Sequence, residues 1–240
     1  VSVDIIIPTF NNLPYLLPCL NSIFQHTLYD SFRVIVVNNG TPEHMEELNN
    51  PNIKVLQQTQ NLGWEGGLVE GMKESQSDFL IFMNDDTMVP PHQRDWLTKL
   101  LKHFEDPNVG AVGPSSNVVM GRQNIFLNIK EYLLNSKFLI GFCMAVRRSA
   151  IDAAGGIDES LPGGDDLDLS IRLRNLGNKL LIARDIFIYH HGFKTGERLE
   201  GKPNQTNGWN SIEKIEQTNF ALINKHDLFK FLDLWSFHGL

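Results

Sequence analysis

The chain opens on Val3-Asp4-Ile5-Ile6-Ile7-Pro8, a β-branched run ended by proline, the pattern of a strand buried on both faces of a sheet. A polar turn from Thr9 to Asn12 follows, and Leu16, Leu17, Leu20, Ile23 and Phe24 then recur at helical spacing. Arg33 to Val37 is a second buried strand, ending in Asn38-Asn39-Gly40, so the opening predicts a β-α-β unit. Beyond it we expect a short strand at Ile53 to Leu56, a Gly-rich turn, a helix from Glu65 to Ser75 and a strand at Phe79 to Met83. This alternation predicts an α/β, Rossmann-like, mostly parallel central sheet flanked by helices, with right-handed crossovers. Ligands in such sheets sit beyond the carboxyl ends of the strands. The polar clusters Pro8 to Asn12, Asn38 to Thr41 and Asn84 to Thr87 all fall there, so they should converge on one rim.

The second half is less regular. Trp96, Leu97, Leu100, Leu101 and Phe104 predict an amphipathic helix, Val109 to Val112 a short strand, and Leu139 to Val146 an apolar run crossing beneath the site. Asp166 to Leu176 reads as a helix stopped by Gly177, and Leu180 to Ala183 and Ile186 to Tyr189 as two strands leading into His190-His191. Residues 192–209 read as a mobile loop that orders on ligand binding, and 226–240 as a helical tail that docks on a membrane, a further domain or a partner, or packs on the core. The expected division is one domain over 1–225, with a nucleotide-binding half to about residue 115 and an acceptor half over 116–225.

Composition narrows the function. At 240 residues and 42% hydrophobic content, one globular core is expected. With 28 acidic against 21 basic side chains, net charge −7, a general attraction to nucleic acid is not expected, and a phosphorylated substrate would need local countercharge such as a divalent cation. Cys19 and Cys143 form no CxxC pair and read as reduced structural thiols. No run approaches the roughly 20 apolar residues of a membrane span and no leader is evident, so the expected location is cytoplasmic, with the inner membrane face as a further option. The start at Val1 and the apolar end are consistent with a piece of a longer protein.

Three clusters can carry chemistry. Asn84-Asp85-Asp86 offers hard oxygen ligands at a strand end, suited to Mg²⁺ or Mn²⁺ completed by substrate phosphates, although the same residues make ordinary turns. In Gly163-Gly164-Asp165-Asp166-Leu167-Asp168, acids open a helix, where they offset its dipole, and Asp168 with Arg172 has the spacing of a helix-surface pair. Three carboxylates so close together exceed what capping needs, so one is a candidate general base toward an acceptor hydroxyl. His190-His191 can join carboxylates on a divalent ion or be structural. Gly63-Trp64-Glu65-Gly66-Gly67 is not a GxGxxG fingerprint, and no Walker A sequence occurs; its glycines are expected to bring a helix close to the sheet or a ligand.

In order along the chain, Ile7-Pro8-Thr9-Phe10-Asn11, Val36-Val37-Asn38-Asn39-Gly40-Thr41, Asn61-Leu62-Gly63, Asn84-Asp85-Asp86-Thr87, Arg147 to Glu159, Asp165-Asp166-Leu167-Asp168-Leu169 with Arg172, and His190 resemble the motifs of glycosyltransferase family 2, in particular its rhamnosyltransferase-like branch. The resemblance covers roughly residues 3 to 192. It implies a GT-A fold and an inverting hexosyl or deoxyhexosyl transfer from a nucleoside-diphosphate sugar, UDP- or dTDP-linked, to a glycan, lipid-linked glycan or surface polysaccharide. Carried over by position, Asp86 and His190 would hold Mn²⁺ or Mg²⁺, with His191 the lesser candidate, and Asp166 would be the catalytic base. Pro8, Thr9, Asn11, Asn38, Asn61, Gly63, Asn84, Asp85 and Asp165 would surround the nucleotide sugar, Asn84 at the ribose and Asp85 shaping the turn. Asn38 stands where the family usually has aspartate, Val69 where asparagine is frequent and Asp165 where glutamate is usual.

A nucleotidyltransferase would want a basic, glycine-rich loop after the first strand, and Pro8 to Asn12 has neither; an oxidoreductase would want the missing dinucleotide fingerprint. The remaining rival is a catalytically inactive sugar-nucleotide-binding module of a larger synthase. Lys194, Arg198 and Lys202 could meet a phosphate of donor or acceptor, or simply be solvated.

Overall fold

The structure is a computed structural model that describes residues 1–43, 45, 48–192 and 212–226. Its centre is β1 (Val3–Thr9), buried at every position because it is paired in parallel on both sides, with β2 (Phe32–Asn38) and β4 (Phe79–Met83). β3 (Ile53–Gln57) extends the parallel set beyond β2. Helices α1 (Leu13–Gln25) and α2 (Gly63–Glu74) make the crossovers. Ile5 and Ile7 pack with Leu16 and Leu20 of α1 on one face, whereas Ile6 packs with Leu68 of α2 on the other, which is why the strand reads as unbroken hydrophobic sequence.

The other elements are β5 (Thr87–Met88), α3 (Trp96–Lys102), β6 (Val109–Ser115), β7 (Leu133–Ser136), β8 (Cys143–Arg147), α4 (Arg148–Ala153), α5 (Asp165–Asn175), β9 (Lys179–Phe187), β10 (Tyr189–His190) and α6 (Ile212–His226). The sheet order is β3-β2-β1-β4-β8-β6-β9-β7. β8 is antiparallel to β4 and β6, and β7 to β9, while the remaining strands run one way. The apolar run at 139–146 is thus only partly strand: residues before Cys143 pass along the strand ends, and the rest enters the sheet centre.

The two expected strands, Leu180 to Ala183 and Ile186 to Tyr189, are instead joined in β9, which continues through Arg184 and ends at Phe187, Tyr189 belonging to β10. Arg184 is only 6% exposed, and its guanidinium donates to the carbonyls of Arg122, Asn124, Ile125 and Leu127. A buried charge of this kind is tolerable because its N–H groups are satisfied. The helical pattern from Trp96 breaks after Lys102, where a tighter turn, His103–Glu105, carries Phe104 into the core. Cys19 and Cys143 are free and buried, and burial pushes the Cys19 thiol up to about 12. The loop expected at 192–209, with Lys194, Arg198 and Lys202, lies outside the described residues except for its first residue, and so does the tail beyond His226.

α2 lies close against β1 because its glycines face that strand. A Cβ on Gly67 would stand 2.8 Å from Cβ of Pro8, and one on Gly71 would overlap Ile6. Gly71→Ala should therefore destabilise the fold by about 1–2 kcal/mol, overpacking outweighing the gain in helix propensity. Urea denaturation checks this, and a variant as stable as the parent would show that the helix shifts without cost.

Candidate active site

β4 ends at Met83, and the turn that follows divides its two acids between two neighbours. The Asn84 N–H donates to the carbonyl of Phe142 (2.9 Å), and Thr87 Oγ1 donates to the Asn84 carbonyl (2.9 Å). Asp85 turns toward the first strand, where it accepts from Thr9 Oγ1 (2.7 Å) and Asn12 Nδ2 (2.9 Å). Asp86 turns the other way, placing Oδ1 3.1 Å from Nε2 of His190.

His190 reaches this corner through a two-stranded antiparallel ribbon in which β10 pairs with β5, setting His190 opposite Thr87. The His190 N–H donates to Asn117 Oδ1 (2.9 Å), Asn117 Nδ2 donates to the His190 carbonyl (3.0 Å), and the ring stacks on Phe142 at 5.3 Å. Nδ1 lies 2.7 Å from the carbonyl of Val118. A carbonyl can only accept, so Nδ1 carries the proton; Nε2 of the neutral ring accepts from Asn84 Nδ2, 3.2 Å away, and donates to Asp86 when the ring is protonated. Burial works against the charged imidazole, but the hydrogen bond and charge of Asp86 outweigh it and raise the pKa. His191 instead packs edge-on against Tyr15 and Tyr189.

The chemistry of this corner fits a divalent cation. An imidazole whose far nitrogen is held by a carbonyl beside a carboxylate is a common ligand arrangement. Among the described residues no group of three or more His, Cys, Asp or Glu forms a closed cage. An Asp-His pair leaves most coordination positions to phosphate oxygens and water, the usual habit of Mg²⁺ in nucleotide sites.

The rim beyond β1 and β2 is stitched by side-chain to backbone bonds. Asn38 is fully buried; its amide donates to the Thr41 carbonyl (2.7 Å) and Gln57 Oε1 (2.7 Å), and its Oδ1 accepts from Gly40 N–H (3.0 Å). Asn11, at φ 49°, accepts from Thr41 N–H (2.9 Å), joining the two loops. Asn61 Oδ1 accepts from Gly63 N–H (2.9 Å), and Gly63 enters α2 at φ 74°. Pro8, Thr9, Asn11, Asn38, Asn61 and Gly63 thus lie at or just beyond the carboxyl ends of the parallel strands, supported by Asn12 and Asn39 and by Gln57, which the sequence pattern did not single out.

The acids of α5 divide by role. Asp168 is 0% exposed, bonded to Arg172 Nε (2.8 Å) and His226 Nε2 (2.6 Å) and paired with Lys225 Nζ (2.8 Å). It is therefore a buried anchor for α6, not a surface pair. Burial alone would raise its pKa, but Lys225, Arg172 and His226 hold it below the usual carboxylate range. Asp166 accepts from Gly141 N–H (3.0 Å) and Leu167 N–H (2.8 Å), and Asp165 accepts from Trp64 Nε1 (3.3 Å). Glu65, in the first turn of α2, completes an acidic trio with them. Burial first, then the charges of Asp166 and Glu65, raise Asp165 well above the ordinary range; burial also raises Asp166 and Glu65. Glu65 had no distinctive signal in sequence, since an acid in a first helical turn is ordinary.

Two consecutive residues join the corners: Gly141 donates to Asp166, and Phe142 contacts both Asn84 and His190. A buried acid with a raised pKa holds extra protons in the folded state, so it costs stability as pH rises above about 4, the unfolded value. Asp165→Asn should therefore make the protein more resistant to urea at pH 7 and leave it near the parent at pH 4. A variant less stable than the parent at pH 7 would show that the Asp165 charge is compensated.

The sequence model for Glycosyl transferase family 2 matches residues 4–155. Glycosyltransferase AglE of Haloferax volcanii is 25% identical over 214 residues, covering 82% of this chain and 69% of its own length. Against other curated relatives the chain spans as little as 24% or 17% of the relative's length. Among solved structures, S. aureus TarS 1-349 in complex with UDP-GlcNAc superposes with a TM-score of 0.72 at 17% identity, over 99% of this chain and 71% of that one. The Pyrobaculum calidifontis mannosyltransferase PcManGT, in complex with GDP-Man and Mn²⁺, gives 0.66 at 17% identity, over 98% and 79%. The strand order, the flanking helices and these superpositions are those of the GT-A fold, and with the family match spanning most of the sheet, the chain belongs to glycosyltransferase family 2.

Proposed function

We propose that this protein moves a sugar from a nucleoside-diphosphate sugar to a hydroxyl of a glycan or lipid-linked glycan, with inversion at the anomeric carbon. The observation that carries this reading is the link through residues 141–142 between the Asp86–His190 pair and Asp166. It is supported by the complexes of the two similar structures, TarS with UDP-GlcNAc and PcManGT with GDP-Man and Mn²⁺.

Asp86 and His190 would hold Mn²⁺ or Mg²⁺, which supplies positive charge toward a departing diphosphate. Asp166 takes the proton from the acceptor hydroxyl as its oxygen bonds to the anomeric carbon and the bond to the diphosphate breaks. Its raised pKa makes it a stronger base than a solvated carboxylate, while the two N–H groups it accepts from keep it oriented. Pro8, Thr9, Asn11, Asn38, Asn61 and Gly63 would frame the nucleoside, with UDP or dTDP favoured. Asn84 would contact the ribose, Asp85 would hold the first loop in place, and Asp165 would border the sugar. Residues 1–115 would then serve the donor and 116–225 the acceptor.

With Mn²⁺ and a panel of UDP-, dTDP- and GDP-sugars, slow hydrolysis of one preferred donor is expected. Asp166→Asn should lower turnover by about 10²–10⁴-fold while leaving Mn²⁺-dependent nucleotide binding in place. Asp86→Ala should weaken that binding by tenfold or more, on the order of the loss of one direct ligand. Nucleotide binding without turnover of any donor, with or without acceptors, would favour an inactive binding module. Unchanged affinity in Asp86→Ala would remove the metal assignment.

A further inference from the structure

A cavity of about 260 Å³ lies between residues 120–123, the end of β7 and the last turn of α5, floored by Ile182 of β9. It shares no lining residue with the Asp86–His190 corner, Asp166 or the rim of the parallel strands. Among the described residues its charged lining is Arg122, Lys137 and Arg174, with no Asp or Glu, in a chain whose net charge is −7. Among the described residues neither Arg122 nor Arg174 is paired with a carboxylate. The positive potential is felt beneath the cavity: Arg184 has its pKa lowered by burial and then by the like charge of Arg122.

The walls are built, not loose. Gln123 is 1% exposed; its Nε2 donates to the Pro114 carbonyl (3.0 Å) and its Oε1 accepts from Ile140 N–H (2.7 Å). Arg184 pins the segment carrying Arg122 through the carbonyls of Arg122, Asn124, Ile125 and Leu127. The fold therefore holds the Arg122 and Arg174 guanidinium groups, with the Lys137 ammonium nearby, around a preformed space.

We infer that this cavity binds a phosphate group. Two guanidinium forks and one ammonium match the charge and the several acceptor oxygens of a phosphate dianion better than a single carboxylate. The volume falls below the roughly 300–1,000 Å³ of pockets that enclose whole ligands, so it suits a charged group and not a second nucleotide sugar. Met120, Phe126, Leu127, Tyr132 and Leu133, all exposed, lie in the two segments that supply Arg122 and Lys137, apolar surface suited to a phosphate carried on a lipid. A soluble sugar phosphate offers the same group. The inference does not rest on the transfer reaction.

The test uses EDTA throughout, so that phosphate cannot report on a metal. One arm titrates inorganic phosphate and glucose 6-phosphate by calorimetry; the other sediments the protein with phosphatidylcholine vesicles with and without phosphatidic acid. Saturable binding is expected in at least one arm, weakened by about tenfold in Arg122→Gln and in Arg174→Gln, the order expected for loss of one partly exposed charge-assisted bond. Lys54→Gln, which removes the same charge from the exposed face of β3 at the far edge of the sheet, should change nothing. Binding in the vesicle arm alone assigns a lipid source, and binding in the soluble arm a free phosphate. Absence of saturation in both arms, or equal weakening by Lys54→Gln, overturns the inference.

Discussion

Parallel pairing of β1 with both β2 and β4 is the constraint from which the site follows. Neighbouring strands lie about 4.8 Å apart, so three segments far apart in the chain must release their polar residues side by side at one edge. Asp85 secures this junction by taking hydrogen bonds from Thr9 and Asn12 of the first loop. With Asp85 so engaged, its neighbour Asp86 projects toward β10 and meets His190. Two adjacent carboxylates thus acquire different surroundings from the backbone geometry of a single turn.

The same division occurs at the start of α5. Asp168 is neutralised by Arg172, Lys225 and His226 and serves to hold α6. Asp165 and Asp166, a few residues earlier, have no such cations among the described residues and share their surroundings with Glu65. Concentrating like charges this way opposes folding, which is the usual condition of a site shaped for reactivity. The cationic cavity beside α5 is the opposite case: there the excess charge is positive, and a burial-stable frame built by Gln123 and Arg184 keeps it in place.

Cys19 and Cys143 illustrate how closely the core and the site are packed. The Cys19 thiol lies 3.6 Å from Thr87 Oγ1, in the strand that faces His190, while Cys143 follows directly on Phe142. The apolar core therefore extends to the back of the candidate metal corner, and the hydrogen bonds there operate in a medium where they are stronger than in water.

The sequence by itself determined the parallel half of the sheet, because strands buried on both faces and the helices between them leave strong local patterns, and strand ends determine where polar residues gather. Asp86, Asp166 and His190 were singled out only through the resemblance of the ordered motifs to glycosyltransferase family 2. Only the tertiary structure decided that β8 enters antiparallel between β4 and β6, since an apolar run reads the same in either direction. The β5–β10 ribbon and edge strand β7 were equally hidden, being too short or too polar to carry a periodic signal. Burial of Arg184 and Asp168, and the meeting of Glu65 with Asp165 and Asp166, likewise depend on partners dozens of residues away. Local sequence records propensity and spacing, whereas desolvation and the pairing of charges exist only once distant segments have been brought into contact.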